Sequence, residues 1–248
     1  MTILSVNVNK IALLRNSRGR NFPDLLYFVR RLIGLGVKGI TVHPRQDERH
    51  VTRQDVVDIT ALLLEFPGVE FNIEGYPSPE FMALIARVKP AQCTLVPDAP
   101  DQLTSDHGWD VRANAALLRE VLDELRALGV RSSLFLDPSV EAVEQVLDVA
   151  PDRIELYTEA YARAFGTAEE STVFESYRAA ARRASELGIG LNAGHDLDLH
   201  NLARFLQIPG ILEVSIGHAL VVESLEQGID NVVRQYLAIC TAAAAAGA

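Results

Sequence analysis

Eight short runs of β-branched and aliphatic residues recur along the 248 residues, and the stretches between them have helical spacing. This alternation leaves few architectures open. The runs are Ile3 to Val8, Gly39 to His43, Val69 to Glu74, Gln92 to Pro97, Arg131 to Asp137, Arg153 to Thr158, Gly190 to Ala193 and Leu212 to Gly217. Between them lie Pro23 to Leu35, Arg53 to Leu64, Pro79 to Val88, Val111 to Leu128, Ser139 to Val149, Ala168 to Leu187 and Leu199 to Phe205, with a last, long helix after Leu220. Near-continuous apolar strands divided by helices predict parallel pairing with helices on the outer face. Glycines stop the helices ahead of strands, as in Leu35-Gly36-Val37, Leu128-Gly129-Val130 and Leu187-Gly188-Ile189.

Eight β-α units in a chain of this length fit a closed (β/α)8 TIM barrel, whereas a doubly wound sheet more often has about six strands and a glycine-rich first turn. No linker or charge block divides the chain, so residues 1–248 read as one α/β domain, with Asp98 to Asp110 as its longest loop insertion. The formal charge of −10 argues against general affinity for nucleic acid or anionic lipid. An anionic ligand must therefore meet a local positive cluster. No apolar run approaches the roughly 18 residues of a membrane span, and the start of the chain lacks a leader pattern. Cys93 and Cys240 have neither a metal spacing nor the density of a disulfide scaffold. A reducing, cytoplasmic location is expected.

In such a barrel the C-terminal strand ends converge on one mouth, where chemistry sits. The runs deliver Asn7 and Asn9, His43 and Arg45, Glu74, Asp98 with the Thr104 loop, Asp137, Glu155 to Glu159, Asn192 to His195, and Gly217-His218. Histidines and carboxylates held together in a desolvated mouth can exchange protons near neutrality. Two anion sites are expected. One combines Arg18, Arg45 and His50 with the Thr104 hydroxyl; the other uses backbone N–H groups around Gly194 and Gly217-His218, after the seventh and eighth strands. Two anion sites in one mouth imply two phosphorylated substrates or one bisphosphate.

The strings SVNVNKIALLRNSRG, GITVHPRQDERHVT, FNIEGY, TLVPDAPDQLTS, RIELYTEAYA, LNAGHDLDLHNL and SIGHAL resemble, in order and spacing, the pyridoxine 5′-phosphate synthase family of vitamin B6 biosynthesis, across essentially the whole chain. The resemblance implies ring-closing condensation of 1-deoxy-D-xylulose 5-phosphate with 3-amino-2-oxopropyl phosphate, without metal or organic cofactor, in a homo-octamer. It implies that His43 and Glu74 are proton acceptors, His195 a proton donor and Glu155 a transition-state stabiliser. By the same resemblance Asn7, Arg18, Asp196, Gly217 and His218 hold the amino-ketone phosphate. Asn9, Lys10, Arg45, His50 and Thr104 hold the deoxyxylulose phosphate, and the loop Asp98 to Asp110 closes over both.

The chain departs from the commoner family pattern at Asn9-Lys10 for Asp-His, Asp196 for Gly, Glu159 for Gly, and Val222-Glu223 for a small residue and Arg. A negative Asp196 beside a phosphate is unfavourable unless its side chain turns away. Taken without the resemblance, the residues leave other readings open. A metal-dependent barrel hydrolase or isomerase would use His43, His195, His218, Glu155 and Asp137 as ligands, although no tight ligand pair appears. A non-catalytic phosphate-binding relative would have lost an acid or base, and none is lost. Several residues also have a structural role to weigh: Asn7 and Asn9 as strand-end caps, Glu74 and Glu155 as buried partners of basic groups, and Arg15, Arg18, Arg45 and Arg49 as surface ion pairs.

Overall fold

A computed structural model describes residues 2–98 and 105–246. Eight parallel strands close into a barrel in sequence order: β1 (Ile3–Asn7), β2 (Gly39–Val42), β3 (Glu70–Gly75), β4 (Gln92–Leu95), β5 (Arg131–Leu136), β6 (Arg153–Tyr157), β7 (Gly190–Gly194) and β8 (Ile211–Ile216), with β8 pairing back onto β1. This is the (β/α)8 barrel that the alternation predicts.

The helices are α1 (Asn9–Asn16), α2 (Leu25–Gly34), α3 (Arg53–Leu63), α4 (Pro79–Val88), α5 (Ala115–Leu128), α6 (Val140–Gln145), α7 (Glu159–Ala164), α8 (Glu170–Glu186), α9 (Leu202–Phe205), α10 (His218–Gln227) and α11 (Ile229–Ala246). Among the described residues no helix is long and apolar enough to cross a membrane. Local chemistry explains several ends. Thr52 and Asp55 form a reciprocal capping box at the start of α3, Ser78 caps α4 with Pro79 following, and Gly129 adopts φ +73° to end α5.

Three helical expectations need correction. The segment after Leu220 is two helices, broken at Gly228 (φ +80°), not one. Residues 111–114 form a turn, so α5 starts at Ala115. Helices α1 and α7 were not expected at all; both are short, begin directly after a strand and lack a side-chain N-cap bond, so they carry little start signal.

The strands also differ from the near-continuous apolar runs expected of them. Alternate residues Leu4, Val6, Ile40, Val42, Ile73, Cys93, Leu95, Leu134, Ile154 and Val214 are buried in the layer between sheet and helices. Their neighbours point inward and, Phe135 and the glycines apart, are mostly polar. Ser5 shares a 2.7 Å hydrogen bond with Thr41, and Thr94 donates to Asn72 at 3.0 Å. Below them Arg131 forks onto Glu70 and donates to Gln92 (3.0 Å), while Asn192 also donates to Gln92 (3.2 Å) and accepts from Arg153 (3.1 Å). A barrel of this size is commonly filled by branched apolar side chains. Here a hydrogen-bonded polar interior supports the floor of the mouth, where buried groups need partners.

Candidate active site

Above that interior, at the C-terminal ends of the strands, lies a cavity of about 520 Å³. Asn7, Asn9, Lys10, His43, Arg45, His50, Glu74, Glu155, His195, Asp196, Gly217 and His218 all line it. Two predicted site residues are not among these. Arg18 is exposed beyond the end of α1 and outside the lining, and Thr104 lies outside the described residues, with residues 99–103 of the proposed closing loop.

Asn7 and Asn9 tie three strand ends together. Asn7 accepts from the Asn9 backbone N–H (3.0 Å) and donates to Glu74 Oε2 (3.4 Å), while Asn9 Oδ1 accepts from the backbone N–H of His43 (3.0 Å). The strand-end capping role therefore applies to both. Asn9 and Lys10 follow β1 directly as the first residues of α1.

Burial and charge set the protonation states. His43 is buried, faces Arg45, His50 and Arg49, and is held well below the ordinary histidine range; it is a neutral imidazole able to take up a proton. His50 is likewise pushed down to about 4 by burial, then by Arg45 and Arg49. This corrects the expected cationic cluster: His50 is neutral and Arg18 is outside, so the positive groups lining the cavity are Lys10, Arg45 and Arg49. Arg45 is itself paired with buried Asp98 (3.0 Å), whose other contact is the Ser105 hydroxyl (2.8 Å).

The carboxyls shift the other way. Glu74 is raised well above the ordinary range by burial and by Glu155, Asp98 and Glu213. Glu155, only 3% exposed, is pushed up to about 8 by burial and by Glu213, against a hydrogen bond from Thr94, and its Oε2 has no hydrogen-bond partner. Glu213, beneath it, is pushed up to about 7, chiefly by burial. Glu74 and Glu155 are thus held as acids at neutral pH, whereas Glu213, 3.6 Å from Arg153, divides between acid and carboxylate there.

A stability prediction follows from Glu155. Its folded pKa of about 8 lies above the ordinary 4.5, so its contribution is fully present below pH 4.5 and is lost as pH rises through 8. Urea unfolding from about pH 5 to pH 9 is expected to show a loss on the order of a few kcal/mol from this group. Glu155→Gln should make that decline shallower. An unchanged slope in the variant would contradict the assignment.

At the end of β7, between the strands of Glu155 and Glu213, His195 and Asp196 form a turn with φ +88° and +57°, and His195 Nδ1 lies 3.1 Å from Asp196 Oδ2. The Asp196 carboxylate is thus turned onto the neighbouring ring. Next to it the N-terminus of α10 opens at Gly217-His218 with no side-chain cap, so its first N–H groups face the cavity as a ready anion site. The other departures from the family pattern lie outside the lining: Glu159 pairs with Arg163 at 3.5 Å, and Glu223 accepts from Leu199 N (3.0 Å) and the Tyr236 hydroxyl (2.5 Å).

Residues that the sequence reading missed complete the wall: Leu13, Arg49, Thr94, Val96, Ser105, Phe135, Leu197, Ser215 and Ala219. Thr94, Phe135 and Ser215 occupy inward positions of β4, β5 and β8, where strict period-two counting would have found them. Among the described residues no group of three His, Cys, Asp or Glu side chains is placed to hold a metal ion, so the five ligands of the metal-dependent alternative do not gather.

The family model described as pyridoxal phosphate biosynthesis protein PdxJ matches residues 4–242. The chain belongs to this family. A pyridoxine 5′-phosphate synthase of Bacteroides fragilis is 50% identical over 237 residues, covering 95% of this chain and 98% of the relative. The protein of the same name from Flavobacterium johnsoniae is 50% identical over 96% of this chain and 98% of its own length, and that of Porphyromonas gingivalis 48% over 95% and 98%. A solved structure described as native KDPGal superposes with a TM-score of 0.60 at 12% identity, over 97% of this chain and 95% of that one, which concerns the fold alone. Membership of the PdxJ family makes the chain a biosynthetic enzyme, and the cavity is its candidate active site.

Proposed function

We propose that this PdxJ-family chain is a pyridoxine 5′-phosphate synthase that condenses 1-deoxy-D-xylulose 5-phosphate with 3-amino-2-oxopropyl phosphate, releasing phosphate and water, by histidine and glutamate acid-base catalysis. One observation carries the reading: separate strand ends bring neutral His43, protonated Glu74 and the His195-Asp196 pair into one cavity, together with Lys10, Arg49 and the uncapped start of α10.

The amine attacks the ketone carbon, and water leaves to give an imine. A half-buried, neutral carboxyl at Glu74 suits protonation of the departing hydroxyl, after which its carboxylate is the base for the next carbon proton. Glu74 thus enters as an acid and becomes the acceptor that the resemblance implies. His43, neutral beside Arg45, is ready to accept a proton without first losing one. The guanidinium and ammonium groups of Arg45, Arg49 and Lys10 support the phosphate that is eliminated, and the N–H groups at α10 retain the other. Glu155, below the mouth, donates from its neutral form to oxygen charge developing in the ring closure.

Purified protein given the two phosphorylated substrates, with no metal added, is expected to form pyridoxine 5′-phosphate, read by mass spectrometry. A folded preparation that binds both substrates and never makes product would refute the reading. Light scattering on the same sample checks the homo-octamer.

A further inference from the structure

The turn after β7 is held by more than the cavity requires. His195 and Asp196 are consecutive non-glycine residues with positive φ, +88° and +57°, a conformation that costs energy unless the surroundings impose it. The surroundings do. The buried Thr158 hydroxyl donates to the carbonyl of Gly194 (2.8 Å) and to that of His195, and the Thr158 backbone N–H also donates to Gly194 (3.1 Å). Buried Asn201 donates from Nδ2 to the Asp196 carbonyl (3.2 Å), and the Tyr157 ring meets the His195 ring edge-on, with centroids 5.0 Å apart.

This scaffold places Asp196 Oδ2 3.1 Å from His195 Nδ1. Hydrogen bonding from His195, with the nearby His218 and Lys10, holds the Asp196 carboxyl below its ordinary range, so it is ionised at neutral pH. An ionised carboxylate only accepts hydrogen bonds. The ring nitrogen facing it therefore carries the proton.

We infer that Asp196 is the positioning residue of His195: its carboxylate fixes the neutral imidazole with the proton on Nδ1 and Nε2 as the basic nitrogen, on a backbone turn clamped by Thr158. This differs from a substrate-contacting role for the Asp196 side chain. It deepens the synthase reading, because the proton that His195 handles would move at one defined nitrogen, oriented as in histidine-carboxylate pairs elsewhere.

The test uses full-length protein labelled with 15N at histidine, observed by long-range proton-nitrogen correlation at a pH where the ring is neutral, with the His195 signal assigned by its loss in His195→Gln. Wild type should show the proton on Nδ1. Asp196→Gly accepts the left-handed φ but has no carboxylate, and its ring should revert to the usual preference of free imidazole for a proton on Nε2. Turnover in that variant should fall roughly tenfold, with KM changed by less than about threefold. Asp196→Asn keeps an oxygen acceptor and should recover most of the loss. A wild-type ring protonated on Nε2, a ring still protonated on Nδ1 in Asp196→Gly, or unchanged turnover in that variant would each overturn the inference. The proton position is read without substrate. Wild-type protein with the expected ring but no product would therefore refute the synthase reading and leave the pairing intact.

Discussion

Glu74→Gln is expected to lower kcat by roughly 10²- to 10⁴-fold while KM changes only a few-fold, the pattern for a group whose work lies in proton transfer and not in holding substrate. The amide has nearly the same shape as the carboxyl and can keep a hydrogen bond with Asn7, which spans 3.4 Å in the wild type. It cannot release or accept a proton. Glu74 is raised well above the ordinary carboxyl range by burial and by Glu155, Asp98 and Glu213, so the wild-type group is already neutral and the substitution removes no buried charge. Because the unfolded carboxyl ionises above its ordinary pKa of 4.5, thermal unfolding should show the variant matching wild type only in acid and gaining on it as pH rises through neutrality. Steady-state kinetics on the two substrates decide the matter. A large rise in KM with kcat intact would assign Glu74 to binding and remove it from the proton relay.

Gly194→Ala is expected to damage both stability and turnover. A Cβ at this position would stand 2.3 Å from Glu155 Oε1 and 3.3 Å from Ser215 Cβ. Glu155 is 3% exposed and its carboxyl shares a hydrogen bond with Thr94, so the added methyl must push that carboxyl out of place toward the cavity or shift β7. Overpacking of this kind costs about 1–3 kcal/mol, and the displaced group is one proposed to act on substrate. A stability loss of about 2 kcal/mol in urea, with at least roughly tenfold lower kcat, is the expected result. Shortening the neighbour tests the cause: Glu155→Asp should recover stability in the Gly194→Ala background although it lowers activity in both, an interaction that a double-mutant cycle measures. Additive effects would mean that the two positions do not collide.

Much of the fold was legible because its signals are local. Strand runs, helical spacing and stops such as Gly129 repeat at short range, and strand ends could be placed to within a few residues. Helices α1 and α7 were not legible, since neither has a side-chain cap to announce it. The candidate site was legible as a set of strand-end residues. Arg18 was grouped with the cations of the mouth, and how far α1 carries it from the lining is something the sequence does not say. Phe135, Thr94 and Ser215 were missed because their strands were taken as apolar throughout, when alternate residues face a polar interior.

What the order of residues determined alone is the closed barrel, the convergence of His43, Glu74, Glu155 and His195 on its C-terminal ends, and membership of the family that the motif strings indicate. What only the tertiary structure decided is the charge each group carries. Lys10, Arg45 and Arg49 remain the positive groups, His50 is neutral, Glu155 is an acid with a pKa near 8, and the Asp196 carboxylate is spent on His195. The reason is electrostatic. Protonation depends on desolvation and on charges a few ångströms away, and the partners concerned, Arg45 with Asp98 or Glu155 with Glu213, come from distant parts of the chain that only closure of the barrel brings together.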